Sequence, residues 1–151
     1  MIRLDDVDEA NWISVARLSV SDEQQAFLDR PIGIIARAYV YRGSHARVFV
    51  ICNDADIIGA ALLRNLDEEP ACYDLQQFMI DKRFQNKGYG TEALKQILSL
   101  LKDERKYDCV EVCVNKSDAS ALHVFKKAGF VDTGYVDYDT PDCLNLMHYF
   151  K

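Results

Sequence analysis

Gly88 and Gly90, two glycines one residue apart, close the stretch of this chain whose residue types and spacing can do chemistry. The stretch reads Phe78-Met79-Ile80-Asp81-Lys82-Arg83-Phe84-Gln85-Asn86-Lys87-Gly88-Tyr89-Gly90-Thr91, an apolar strand, a polar turn and the start of an amphipathic helix. Glycine lets backbone amides approach a ligand with no Cβ in the way. The first turn of a helix adds unpaired N–H groups and a partial positive charge. Together they make a seat for a pyrophosphate, and Lys87 stands ready to add a side-chain charge. A turn kept for packing alone would carry the same two glycines, so context has to decide. The dinucleotide fingerprint needs a third glycine in an early βαβ unit, and the P-loop needs Gly-Lys-Ser/Thr after its first glycine. Neither is present.

The elements around that loop follow from patterning. Ile2–Val7 reads as a first strand, followed by a helix near Glu9–Leu18. Ser21-Asp22-Glu23-Gln24 is a helix start with acidic groups at the positive end of the dipole, and the segment to about Tyr41 is expected to be helical with a break before Pro31. Arg47–Cys52 and Ile57–Leu66 read as strands joined by a polar turn of hairpin length. Cys72–Asp81 is a third strand, in which alternation puts Asp74, Gln76 and Phe78 on one face and Tyr73, Leu75 and Gln77 on the other. Leu94, Ile97, Leu98 and Leu101 give Thr91–Asp103 one helical face. Val110, Val112 and Val114 fill one side of the next strand, with Cys109, Glu111 and Cys113 on the other. Asp118–Ala128 is a helix stopped by Gly129, and strands near Val131–Tyr138 and Cys143–Phe150 close the chain. The order predicts an α+β (mixed α/β) domain around a mixed, largely antiparallel sheet.

On these residues the chain resembles the GCN5-related N-acetyltransferases, the GNAT family. Gln85-Asn86-Lys87-Gly88-Tyr89-Gly90 matches the family's Q/R-x-x-G-x-G/A motif in full, between a strand and a helix. A second family element follows in Asn115, then Ala119-Ser120-Ala121-Leu122 and Phe125-Lys126-Lys127-Ala128-Gly129-Phe130. The element order also matches, so the resemblance covers essentially all of residues 1–151, expected to form a single domain. Within the family, Tyr73-x-Leu75 with Phe78-Met79-Ile80-Asp81 is most similar to bacterial spermine/spermidine acetyltransferases. The resemblance implies a twisted sheet of six to seven strands flanked by about four helices. It also implies acetyl-CoA as co-substrate and direct acetyl transfer, in a ternary complex, to a primary amine of a small molecule, a polyamine first. Phe78, Met79 and Ile80 would pair their backbone with the pantetheine arm. Gln85 and the amides of Asn86, Lys87, Gly88, Tyr89, Gly90 and Thr91 would hold the pyrophosphate, Asn115 would reach the pantetheine, and the helix bearing Ser120, Phe125 and Lys126 would flank the thioester and nucleotide.

Transfer needs an uncharged amine and a proton for the departing thiolate. The family commonly takes the base from a carboxylate or water chain near the central strand, which makes Asp74 the candidate base and leaves Asp81 a turn residue. The family's acid is a tyrosine where this chain has Phe125, which cannot donate a proton. Tyr135 and Tyr149 are the substitutes, with Tyr138 and His123 behind them. A thiol of pKa near ~8.5 can also leave unaided. Two other readings remain open: acetylation of a protein or peptide N-terminus, and an acyl-CoA-binding module that catalyses little.

Composition bounds the partners. The formal net charge of −6 disfavours nucleic acid and favours a cationic small-molecule amine. Five cysteines, an odd number with no CxxC spacing, point away from a metal site or a disulfide framework and toward reduced thiols. The first residues, Met-Ile-Arg-Leu-Asp-Asp, carry charge at once, and no apolar run approaches membrane-spanning length. A cytoplasmic protein with no membrane partner is expected, and the apolar closing strands lead us to expect a homodimer.

Overall fold

The computed structural model describes residues 1–151. One sheet of seven strands runs in the order β1-β2-β3-β4-β5-β7-β6. Its strands are β1 (Ile2–Asp6), β2 (Arg47–Asn53), β3 (Asp56–Leu66), β4 (Cys72–Ile80), β5 (Cys109–Asn115), β6 (Val131–Asp132) and β7 (Cys143–Tyr149). The helices are α1 (Trp12–Ala16), α2 (Asp22–Gln25), α3 (Pro31–Val40), α4 (Tyr89–Glu104) and α5 (Ala119–Lys127). All neighbouring strands are antiparallel except β4 and β5. The α+β expectation holds, with five helices where about four were expected, because the segment after Ser21 divides at Pro31. Ser21 and Gln24 form a reciprocal capping box on α2, and Pro31 opens α3, where a missing N–H costs nothing. The helix expected from Glu9 starts later, since Asp8 Oδ1 captures the amides of Ala10 and Asn11.

The sheet has two buried faces. Phe49, Ala61, Leu63, Tyr73, Leu75, Val110, Val112 and Val114 pack with Leu94, Ile97 and Leu101 of α4 and Phe125 of α5. Val48, Val50, Ala60, Leu62 and Met79 pack on the opposite side with Val15, Leu18 and Ile34. The Val110-Val112-Val114 stripe is thus on the α4–α5 side, and Glu111 and Cys113 face the other way.

Two expectations are corrected. Strict alternation in β4 fails because the β3–β4 register slips between Leu62 and Leu63, which pair with Gln77 and Leu75 and leave Gln76 as an extra residue. A bulge of one residue exchanges the faces of everything beyond it. Phe78 therefore joins Tyr73 and Leu75 on the α4–α5 side, while Asp74 lies on the α3 side. The strand expected over Val131–Tyr138 ends after Asp132. Asp132 Oδ1, Thr133 Oγ1 and Asp137 Oδ1 accept from the amides of Gly134, Tyr135 and Asp139. Side chains that capture nearby amides in this way compete with a strand ladder.

Candidate active site

The loop between β4 and α4 is held open from beneath. Asp81, 1% exposed, caps the turn that follows β4. Its Oδ1 accepts from Arg83 N and Arg83 Nε, both at 2.9 Å, and its Oδ2 from Ser19 N at 2.9 Å. Burial pushes this carboxyl up, but the Arg83 guanidinium and the two amides outweigh it and hold it below the usual range. Gln85 donates to Ile80 O at 2.8 Å and exchanges hydrogen bonds with the Gln24 side chain, so the motif glutamine braces the loop. Asn86 and Gly88 adopt positive φ, 62° and 84°. The first α4 amide with a carbonyl partner in this region is that of Glu92, which donates to Gly88 O at 3.1 Å. The amides of Tyr89, Gly90 and Thr91 ahead of it have no intrahelical acceptor. An added Cβ at Gly88 would meet no atom within 4 Å, so the space above the loop is open.

That loop opens onto a cavity of about 650 Å³, ample for an elongated ligand. Phe78, Met79 and Ile80 form one wall, and Ser120, Val124 and Phe125 of α5 another. Val20, Gln24 and Leu28 close it from the α2 side. The cavity exists because β4 and β5 diverge. They pair only over Tyr73, Asp74 and Leu75 with Val110, Glu111 and Val112, so the edge of β4 from Gln76 onward has no strand partner. An extended chain laid in the V would find a backbone edge to pair with.

On the other face of the sheet, at the vertex of the V, polar groups replace the core. Asp74 and Glu111 are register partners. Arg64 Nε donates to Asp74 Oδ2 at 2.9 Å, and its guanidinium lies over the Tyr41 ring. Burial raises the Asp74 carboxyl in spite of Arg64. Burial and then the Asp74 charge raise Glu111. The Cys72 thiol beside Glu111 is pushed up to about 12, chiefly by burial. Gln76 Oε1 is buried without a partner. Further along β5, Cys113 is raised to about 11 by burial and the neighbouring Cys143, with its Sγ 4.0 Å from Thr140 Oγ1.

Of the residues expected at a cofactor seat, the structure gathers Phe78, Met79, Ile80, Gln85, Asn86, Gly88, Gly90, Thr91, Ser120 and Phe125 around one cavity. Lys87, Tyr89, Asn115 and Lys126 are outside its lining. Asn115 Oδ1 accepts from Ser117 N and caps the turn after β5. Lys127, one position beyond Lys126, is the lysine that lines the cavity, as does His123. Tyr149 pairs with Cys109 at the closed end of the V, roughly 7 Å of strand from Glu111. Tyr135 lies nearer the open end, where its carbonyl accepts from Asn145 Nδ2 at 2.9 Å and Asn145 pairs with Cys113. Sequence reasoning missed the α2-side wall and the pairing of Asp74 with Glu111.

Comparison with known proteins bears on the family and the fold. The sequence model of the acetyltransferase (GNAT) family matches residues 10–130. The spermine/spermidine N(1)-acetyltransferase of Bacillus subtilis (strain 168) is 21% identical over 141 residues, covering 87% of this chain and 79% of that one. Among solved structures, a spermidine N-acetyltransferase from Vibrio cholerae in complex with CoA and spermine superposes with a TM-score of 0.77 at 14% identity, covering 98% of this chain and 95% of that one. RimL, a ribosomal L7/L12 alpha-N-protein acetyltransferase in complex with coenzyme A, superposes with a TM-score of 0.79 at 14% identity, covering 99% and 94%.

Proposed function

The chain belongs to the acetyltransferase (GNAT) family, and from that premise we propose that it transfers an acetyl group from acetyl-CoA to a primary amine of a small cationic molecule, a polyamine such as spermidine or spermine. The observation that carries the reading is that Gly90 and Thr91, with unpartnered amides at the start of α4, and Phe78–Ile80 of the unpaired β4 edge line the same cavity. Such a cavity suits a diphosphate at one end and an extended amide-bearing arm along its length. The open space above Gly88 leaves room for a phosphate. Phe78 and Phe125 would flank the arm with apolar surface, and the β4 edge would supply an N–H toward the thioester carbonyl. Most of the acceleration would come from holding two reactants at attack distance.

The acceptor preference is supported by charge. On the α3 side of the vertex Asp74 and Glu111 face a single cation, Arg64. Asp137, Asp139 and Asp142 lie in the β6–β7 connection beyond them. Carboxylates spread along an approach suit a cation of distributed charge, and the Bacillus and Vibrio relatives act on or bind polyamines. Thiol release from acetyl-CoA, followed with a thiol reagent, should rise well above background with spermidine or spermine. Calorimetry should register heat of binding with coenzyme A. No heat of binding would remove the cofactor reading. Turnover with an N-terminal peptide and none with polyamines would transfer the acceptor to proteins, the class named for the RimL structure.

A further inference from the structure

Asp74, the carboxylate best placed on sequence grounds to take a proton, is committed elsewhere. Its Oδ2 is held by Arg64 Nε at 2.9 Å, its side chain is 15% exposed, and the Gln76 amide lies beside it. Glu111, its register partner across the parallel pair, has no ion-pair partner. It is half-buried, on the sheet face opposite Val110 and Val112 and beside the point where β4 leaves β5. The groups facing it are Asp74 and Cys72 from β4, Arg64 from β3, and Cys109 on β5 itself. Cys113, with Asp137 near it, is the next β5 residue on the same face, and β7 sets the uncharged Met147 opposite. Gln76 Oε1 is the second feature. Buried polar atoms without a partner are rare in folded proteins, and this one sits on the bulge where β4 leaves β5.

We propose that Glu111 is the proton acceptor for the attacking amine, directly or through one water, and that Gln76 Oε1 receives an N–H of that amine. The proposal rests on the acetyltransferase reading above. The alkylammonium gives one proton to the Glu111 carboxylate. The freed nitrogen lone pair forms the C–N bond to the acetyl carbon. The C–S bond breaks with its electron pair on sulfur, and the second nitrogen proton passes to that thiolate. Glu111 then returns its proton to solvent, so one amide, one thiol and one proton leave. Asp74 is a positioning residue whose charge keeps Glu111 basic, an effect that acts in the same direction as burial.

The test compares wild type, E111Q and D74N in thiol-release assays with spermidine, spermine and an N-terminal peptide across pH, with coenzyme A binding measured alongside. E111Q, isosteric and outside the cavity lining, should bind coenzyme A as wild type does. It should lose about a hundredfold or more in kcat with whichever amine wild type accepts, and with it the rise in rate as pH climbs through the Glu111 pKa. D74N should move that rise to lower pH, because the repelling charge is gone. An E111Q enzyme within about threefold of wild type and with the same pH profile overturns the proposal, as does D74N, and not E111Q, losing the rise. Turnover of the peptide alone overturns the polyamine acceptor and leaves Glu111 judged by its own ratio. Silence of wild type with all three amines overturns both.

Discussion

Phe125 stands where the family carries a tyrosine, and its surroundings decide what a hydroxyl there would do. The ring is 4% exposed and meets Phe78 and Phe130 edge-on, with centroids 5.9 and 5.3 Å away. It belongs to the main core and to the cavity wall at once. Phe125→Tyr should change kcat by less than about tenfold, whereas recruitment of a general acid would give about a hundredfold or more. Between two phenylalanine rings the added oxygen should lower unfolding free energy by about 1–3 kcal/mol. Steady-state kinetics and denaturant melts check the two halves. A large gain in turnover would mean that thiolate protonation limits the rate and that Tyr135, the tyrosine nearer the open end, does not relieve it.

Legibility differed sharply from element to element. The β4–α4 loop was readable because its signals are local: apolar strand, paired glycines and helical periodicity follow one another without a gap. The divergence of β4 and β5 was not, since it depends on a register between strands far apart in sequence. The bulge at Gln76 was invisible to alternation, which assumes that no residue is added, and this mis-sided Phe78 relative to Asp74. The strand expected over Val131–Tyr138 stopped after Asp132 for the opposite reason, with short polar side chains capturing amides that would otherwise have continued the ladder. Two glycines test the element-scale account. Gly88→Ala must hold φ 84°, at roughly 1–2 kcal/mol for a residue with a Cβ, and its methyl enters the phosphate space. KM for acetyl-CoA should rise about tenfold with a small drop in Tm. Gly59→Ala puts a Cβ 2.3 Å from Met79 O, where β3 and β4 must stay paired beside the cavity. It should cost about 3 kcal/mol or more and be seen first as loss of folded protein. Equal stability losses in the two variants would deny that Gly88 is there for a ligand.

Across the whole molecule, carboxylates of opposite behaviour set how stability depends on pH. Asp81 lies below its ordinary range because Arg83 and backbone amides outweigh burial, and Glu104 does so because Arg47 forks onto it at 2.7 Å. Both bind fewer protons folded than unfolded, so their contribution is present above the unfolded value near ~4 and fades as pH falls through the folded one. Asp74 and Glu111 lie above the ordinary range. They bind protons more tightly when folded, so stability falls as pH rises from the unfolded value to the folded one. Retaining such a group is the stability cost expected of a catalytic carboxylate. E111Q should therefore melt higher than wild type at pH 8, with the difference shrinking to zero as pH falls below the unfolded value, where the wild-type side chain is protonated in both states. Asp81→Asn should do the reverse, melting lower at pH 8 and converging with wild type in acid. Thermal melts across that range separate the two roles. If E111Q proved less stable at pH 8 by as much as at pH 4, Glu111 would be a packing residue of β5, and its ionisation would have no part in either stability or turnover.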